Sequence, residues 1–131
     1  MRLGQMRGVV TMGTALAITS AFWLAAASVS AEEIPAAAQE EAKGIFAMRC
    51  ATCHGPAGAG DGAAAVAMNP KPRSFSDAEW QKSVTDAHIE QVILGGGPSV
   101  GKSPLMPPNP DLASKPDVVK ALRAMVRGFA K

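Results

Sequence analysis

Cys50-Ala51-Thr52-Cys53-His54 sets the chain's two cysteines three apart and follows the second with a histidine. That spelling admits three chemistries: a redox disulfide, part of a zinc site, or covalent attachment of haem. A thioredoxin-like pair belongs at a strand-to-helix turn in a βαβ unit, and no alternating strand pattern precedes Cys50. Structural zinc takes four closed ligands, whereas the chain adds only two histidines to the two cysteines, one of them directly next to Cys53. A local Cys50–Cys53 disulfide leaves His54 without a role. Haem attachment uses every letter. On a helix Cys50 and Cys53 face the same way and reach two vinyl groups of one porphyrin, while His54 stands beside them to ligate the iron.

A second axial ligand has to come from elsewhere in the chain. Met48, Met68, Met106 and Met125 lie beyond the N-terminal segment, and methionine fills cores by default. Met48 points away from the Cys50 side of its helix and Met125 lies on an apolar stripe, so both read as packing. Met106 differs. It sits between Gly95 and Pro110, a stretch with four glycines and five prolines. Irregular segments of that length inside a compact domain are usually functional. Pro104, Pro107 and Pro108 restrict the backbone around its thioether. Met68 and His88 are the alternatives to Met106. A His54/Met106 pair raises the haem potential and closes both axial positions to oxygen, peroxide or substrate, which points to electron transfer. Arg73 and Trp80 are candidates to contact the propionates, a solvated arginine and a core tryptophan being the competing readings.

The elements that must carry these residues are helical. Ala38, Ala42, Ile45, Phe46 and Cys53 share one stripe, so Ala36 to Cys53 reads as a helix with Gly44 as its weak point. Ser76 with Glu79 spells a capping box for a short helix carrying Trp80. Thr85 or Asp86 caps another, buried through Ile89, Val92 and Ile93 and stopped by Gly95. Ser114, with Pro116 in the first turn, opens a last helix whose face is Val118, Leu122, Met125 and Phe129. No stretch alternates with strand period. The fold class is all-α with much irregular loop.

Arg2 and Arg7 precede an uncharged apolar run from Gly8 to Val29, which reads as a secretory signal cut after Ala31, with an uncleaved anchor as the alternative. Residues 32–40 form an acidic, Ala-rich tail and 41–131 the folded domain. The chain carries 13 Lys+Arg against 11 Asp+Glu, a formal net charge of +2, too little and too scattered for a nucleic-acid footprint. Four of the acids precede Ala42, so the rest is mildly basic, and Arg49, Lys71, Arg73 and Lys102 form an expected positive rim near the haem ligands.

Taken together, Gly44-Ile45-Phe46, the run CHGPAGAGDG from Cys53 to Gly62, Leu105-Met106-Pro107 and a C-terminal helix resemble the class I cytochrome c family, from about Glu40 onward. The resemblance implies a small all-α fold wrapped round one covalently bound haem c, with Met106 as distal ligand. It also implies a proline carbonyl, Pro70 first and Pro72 next, accepting the Nδ1 hydrogen of His54. It implies a crossing of the first and last helices through a small residue and an aromatic, matching Gly44 or Ala42 and Phe46. Where the family commonly answers with an aromatic from the last helix, this sequence offers Met125, so a softer crossing is expected. The expected function is a periplasmic monohaem electron carrier, monomeric or a complex subunit, working between larger redox proteins or respiratory and dehydrogenase complexes. It would meet the membrane only through an uncleaved N-terminal segment. The rival is a haem enzyme or gas sensor whose sixth position is open or weakly held.

Overall fold

The computed structural model describes residues 33–131. The expected signal segment lies outside the described residues, and so does Glu32 of the expected tail. Helix α1 spans Ala36–Ile45 and runs on through a π-helical turn, Phe46–Cys50, into the short helix α2, Ala51–His54. The remaining helices are α3, Ala78–Ser83, α4, Asp86–Gly95, and α5, Pro116–Gly128. Short 3₁₀ turns at Ala63–Ala67, Gly97–Val100 and Pro110–Ser114 break the connections. No strand occurs among the described residues, so the all-α expectation holds there.

Helix α1 starts inside the segment expected to be a tail. Alanine and glutamate are strong helix formers, and Ala38 is already buried in the core, so residues 36–40 belong to the folded body. Its buried stripe is Ala38, Ala42 and Ile45, continued by Phe46. It packs most heavily on α5, which buries Val118, Val119, Ala121, Leu122 and Val126. The small residue at this crossing is Ala42, with no exposed surface. Gly44 is exposed, and a Cβ there would meet nothing within 4 Å.

The aromatic answer from α5 is not missing. Phe129, at the C-cap of α5, places its ring 5.4 Å from that of Phe46. Met125 is half-buried and faces a surface groove shared with Ile34 and Ala121. The expectation of a softer crossing therefore fails: the last helix turn, not its middle, supplies the ring. Phe129 continues to Phe75 at 6.2 Å, and Phe75 to Trp80 at 5.7 Å. A row of rings thus runs through a core that is otherwise built from aliphatic side chains.

Two helix starts differ from expectation by one residue. The cap of α3 is Asp77, whose carboxylate accepts from the backbone N–H of Glu79 at 3.0 Å and of Trp80 at 3.1 Å. Ser76 is engaged with Ser74, hydroxyl to hydroxyl at 2.9 Å, and a carboxylate is the stronger acceptor at a helix N-terminus. At α5 the cap position is Lys115, while the Ser114 hydroxyl donates to the Asp111 carbonyl and closes the preceding turn. Thr85 caps α4 as expected, accepting from the N–H of His88 at 3.1 Å.

One buried polar side chain ties these elements together. Gln81 on α3 uses both amide hydrogens, donating to the Phe75 carbonyl at 2.7 Å and the Val126 carbonyl at 2.8 Å. Its Oε1 accepts from Arg127 at 2.9 Å. Arg127 also reaches the Val84 carbonyl and Asp86, which Arg123 meets from the next turn of α5. Each partner of the buried amide is satisfied, which is what makes a polar group tolerable there.

Candidate haem site

The π-helical turn runs into the cysteine motif: Cys50 closes the turn, and Cys53 and His54 ride on α2. Such a turn widens the helix by one residue per bond ring and is commonly found at functional sites. Cys50 and Cys53 are not joined to each other, and both are half-buried. Burial pushes the Cys50 thiol up, and the guanidinium of Arg49 opposes that. His54 is buried, at 8% exposure.

The loop after His54 is fastened back onto the motif by its own backbone. The N–H of Gly60 donates to the His54 carbonyl at 2.8 Å and that of Gly62 to the Cys53 carbonyl at 3.1 Å. The N–H of Phe75 donates to the Gly58 carbonyl at 2.7 Å. Glycine at 58 is required twice over. Its φ is +67°, and a Cβ would stand 2.7 Å from the Phe129 ring and 2.9 Å from the Phe75 ring.

Nδ1 of His54 lies 3.0 Å from the carbonyl oxygen of Arg73. A carbonyl can only accept, so the hydrogen sits on Nδ1 and Nε2 carries the lone pair, free to bind a metal. Among the described residues no hydrogen bond engages Nε2. Burial holds the imidazole below its ordinary pKa, with the Arg73 carbonyl acting the other way, so the ring is neutral at neutral pH. Pro70 and Pro72 do not supply this carbonyl. Pro70 is exposed, and the chain, after Lys71 has bonded back to the Ala65 carbonyl, comes alongside His54 only at Arg73. The Phe75 ring then lies flat against the imidazole, 4.5 Å between centroids and 17° between planes.

Cys50, His54 and Met106 line one narrow slot, partly open to solvent. The rest of its wall is mainly apolar, with Ile45, Phe46, Phe75, Ile93, Leu112 and Leu122 among its residues. The donor set fits haem c: a neutral buried imidazole with a free Nε2, a thiol on the same wall, a second thiol one turn on, and a thioether. Cys53 is not part of the slot wall, and Arg73 and Trp80 are not either. The Arg73 guanidinium stands 5.9 Å from the centre of the Trp80 ring and 3.5 Å from Asp77. Met48, expected to pack, is 73% exposed, Met68 is half-buried outside the slot, and His88 is half-buried on α4. Among the described methionines, Met106 is the one that reaches the slot with His54.

The Met106 segment is seated on the end of α4. Gly96 has φ +66°, and a Cβ there would stand 2.5 Å from the Met106 carbonyl. The N–H of Gly97 donates to that carbonyl at 3.0 Å. Asn109, also on the slot wall, donates from its backbone to the Leu94 carbonyl and from its side chain to the Ile93 carbonyl. Sequence reasoning passed over Gly96, Asn109 and Phe75. The triple glycine at 95–97 was the available signal for the first, since a run of that kind marks close backbone approach. The other two had none.

The Cytochrome c family model matches residues 39–124. The chain belongs to the cytochrome c family. A cytochrome c domain carries covalently attached haem c and is a haem-binding electron-transfer unit, and Cys50, Cys53 and His54 stand in the spacing that attachment uses. Members of the family are generally electron carriers. No curated protein matches the chain. No helix of the described residues is long and apolar enough to cross a membrane.

Proposed function

We propose that this cytochrome c is exported to the periplasm and carries one electron at a time between larger redox proteins, with His54 and Met106 as the two axial ligands. The observation that carries the reading is that Met106 lines the same slot as His54 and Cys50. Haem c held there would supply a one-electron Fe(III)/Fe(II) couple, and the thioether of Met106 paired with the imidazole of His54 would favour the ferrous state. Cys50 and Cys53 tether the group, so it cannot dissociate during exchange with a partner. His54 presents Nε2 while Arg73 holds its Nδ1 hydrogen, which fixes ring orientation and basicity. The apolar wall limits water at the site. We assign Arg73 to a propionate, steered by Trp80, which packs on the wall residue Phe75. The partners are redox proteins or respiratory or dehydrogenase complexes.

Met106→Ala tests the ligand. It should remove the weak far-red sulfur-to-iron band of the ferric protein, lower the potential and let carbon monoxide bind the ferrous protein, while Met68→Ala does none of these. Rapid carbon monoxide binding to the unmodified protein would mean an open sixth position, and with it a sensor or enzyme in place of a carrier.

A further inference from the structure

We infer that Gln81 is the positioning residue for the proximal histidine, acting through Phe75. The inference rests on His54 being an iron ligand.

Two groups of one short segment hold the His54 ring: the Arg73 carbonyl at Nδ1 and the Phe75 ring against the imidazole face. Backbone strands of a loop drift unless tied, and this one is tied at Phe75. Its N–H is bonded to Gly58, and its carbonyl accepts from Gln81 at 2.7 Å. The Gly58 bond anchors the segment to a loop that itself hangs from His54 and Cys53, so it adds no reference outside the motif. Gln81 does. Its second amide hydrogen goes to the Val126 carbonyl of α5, and its Oε1 and backbone carbonyl accept from Arg127. The side chain therefore fixes the height of the Phe75 ring, and through it the imidazole, relative to the helix that packs on α1.

A glutamine amide combines two donors for these carbonyls with an acceptor for Arg127, without burying a charge. A carboxylate at this position cannot donate to two carbonyls, and asparagine is one methylene too short to span Phe75 and Val126 from α3. An apolar residue would leave two buried carbonyls without a donor. A purely structural glutamine would stabilise the fold and leave the histidine indifferent to its loss. A positioning glutamine controls how often the Nδ1–H···Arg73 bond opens.

The test compares Gln81→Met, close in shape but without hydrogen-bond donors, with Val119→Ala, which thins the α5 core away from the slot. Both are loaded with haem, and both should lower the unfolding temperature. The readout is solvent exchange of the His54 Nδ1 hydrogen in the ferrous protein, followed by nitrogen-15 NMR, together with the paramagnetic shifts of the His54 ring in the ferric protein. Gln81→Met should exchange at least tenfold faster than Val119→Ala at equal global stability and move the ring shifts, and Gln81→Glu should do the same. Equal exchange and unchanged ring shifts in Gln81→Met and Val119→Ala would overturn the positioning role while leaving the ligation intact. A His54 ring with no paramagnetic shift in the unmodified ferric protein would overturn both.

Discussion

Gly44 and Gly58 should respond to alanine with opposite signs. At Gly58 the backbone is left-handed, φ +67°, which costs an alanine about 1–2 kcal/mol. The new Cβ would also stand 2.7 Å from Phe129 and 2.9 Å from Phe75, and forcing a packed core to yield costs about 1–3 kcal/mol. The sum is about 2–5 kcal/mol. For a domain of this size 1 kcal/mol moves the unfolding midpoint by roughly 4–8 °C, so Gly58→Ala should lose at least about 8 °C. At Gly44 the backbone is helical, the site is exposed and the Cβ meets nothing. Alanine should gain about 0.5–1 kcal/mol there, or about 2–8 °C. Thermal unfolding of the haem-loaded proteins, followed in the far-ultraviolet and in the Soret band, measures both. Because the displaced Phe75 ring lies on the imidazole, Gly58→Ala should also perturb the haem spectrum before unfolding, and Gly44→Ala should not. A destabilised Gly44→Ala would refute the reasoning, since it would put Gly44, not Ala42, at the α1–α5 crossing.

Three further outcomes are expected. Cys50→Ser or Cys53→Ser should each leave haem on the polypeptide through one thioether in acid-acetone extraction, and the double variant should release it; release from the unmodified protein would show the attachment to be absent. The Arg127 guanidinium, and after it Arg123, holds the Asp86 carboxyl below its ordinary value, so its contribution is complete above the usual carboxylate range and is lost as pH falls through the lowered folded value. Asp86 is 47% exposed, which limits the loss in Asp86→Asn to about 1 kcal/mol or less at neutral pH; the gap to the unmodified protein, from denaturant titrations, should close on acidification. Electron transfer to an acidic partner should slow only weakly as salt rises, because two of the four rim cations are neutralised locally, Arg49 by Asp111 at 3.0 Å and Arg73 by Asp77; a steep fall would restore the full positive rim.

The cysteine motif and the helical stripes were legible because each is written in local spacing. Ala36 to Ile45 shows its buried face at helical period and the chain runs on into Cys50, Cys53 and His54, although the π-helical turn at Phe46–Cys50 left no mark in that spacing. What was illegible depends on where the chain returns. The carbonyl facing His54 belongs to Arg73, three residues beyond Pro70, and nothing in Pro70-Lys71-Pro72-Arg73 says which of four carbonyls turns inward. Phe129 was visible on the stripe of the last helix, yet its meeting with Phe46 depends on the crossing point, which Ala42 fixes by being small. Gln81 carried no sign at all, since a glutamine in a short helix reads as surface until the Phe75 carbonyl and the distant Val126 carbonyl are found on its amide.

The two sides of the slot are built on different principles. His54 is held by backbone: its carbonyl receives Gly60, its ring donates to Arg73, and its neighbour Cys53 receives Gly62. Each of these bonds closes within the segment from the motif to Phe75, and Gln81 ties the end of that segment to α5. Met106 is held instead by restriction of alternatives. Prolines at 104, 107 and 108 narrow its backbone, Gly96 and Gly97 let the end of α4 come close enough to receive its carbonyl, and Asn109 pins the exit of the segment to the same helix end. Arg49 then reaches from the π-helical turn beside Cys50 to Asp111 just past Asn109, so the two sides are joined outside the slot as well as across it. Under the proposed ligation, a change of one unit of charge at the iron meets ligands whose positions are set by covalent tether, ring restriction and backbone hydrogen bonds, with few side-chain torsions left to readjust. That is the condition for rapid electron exchange without chemistry at the metal.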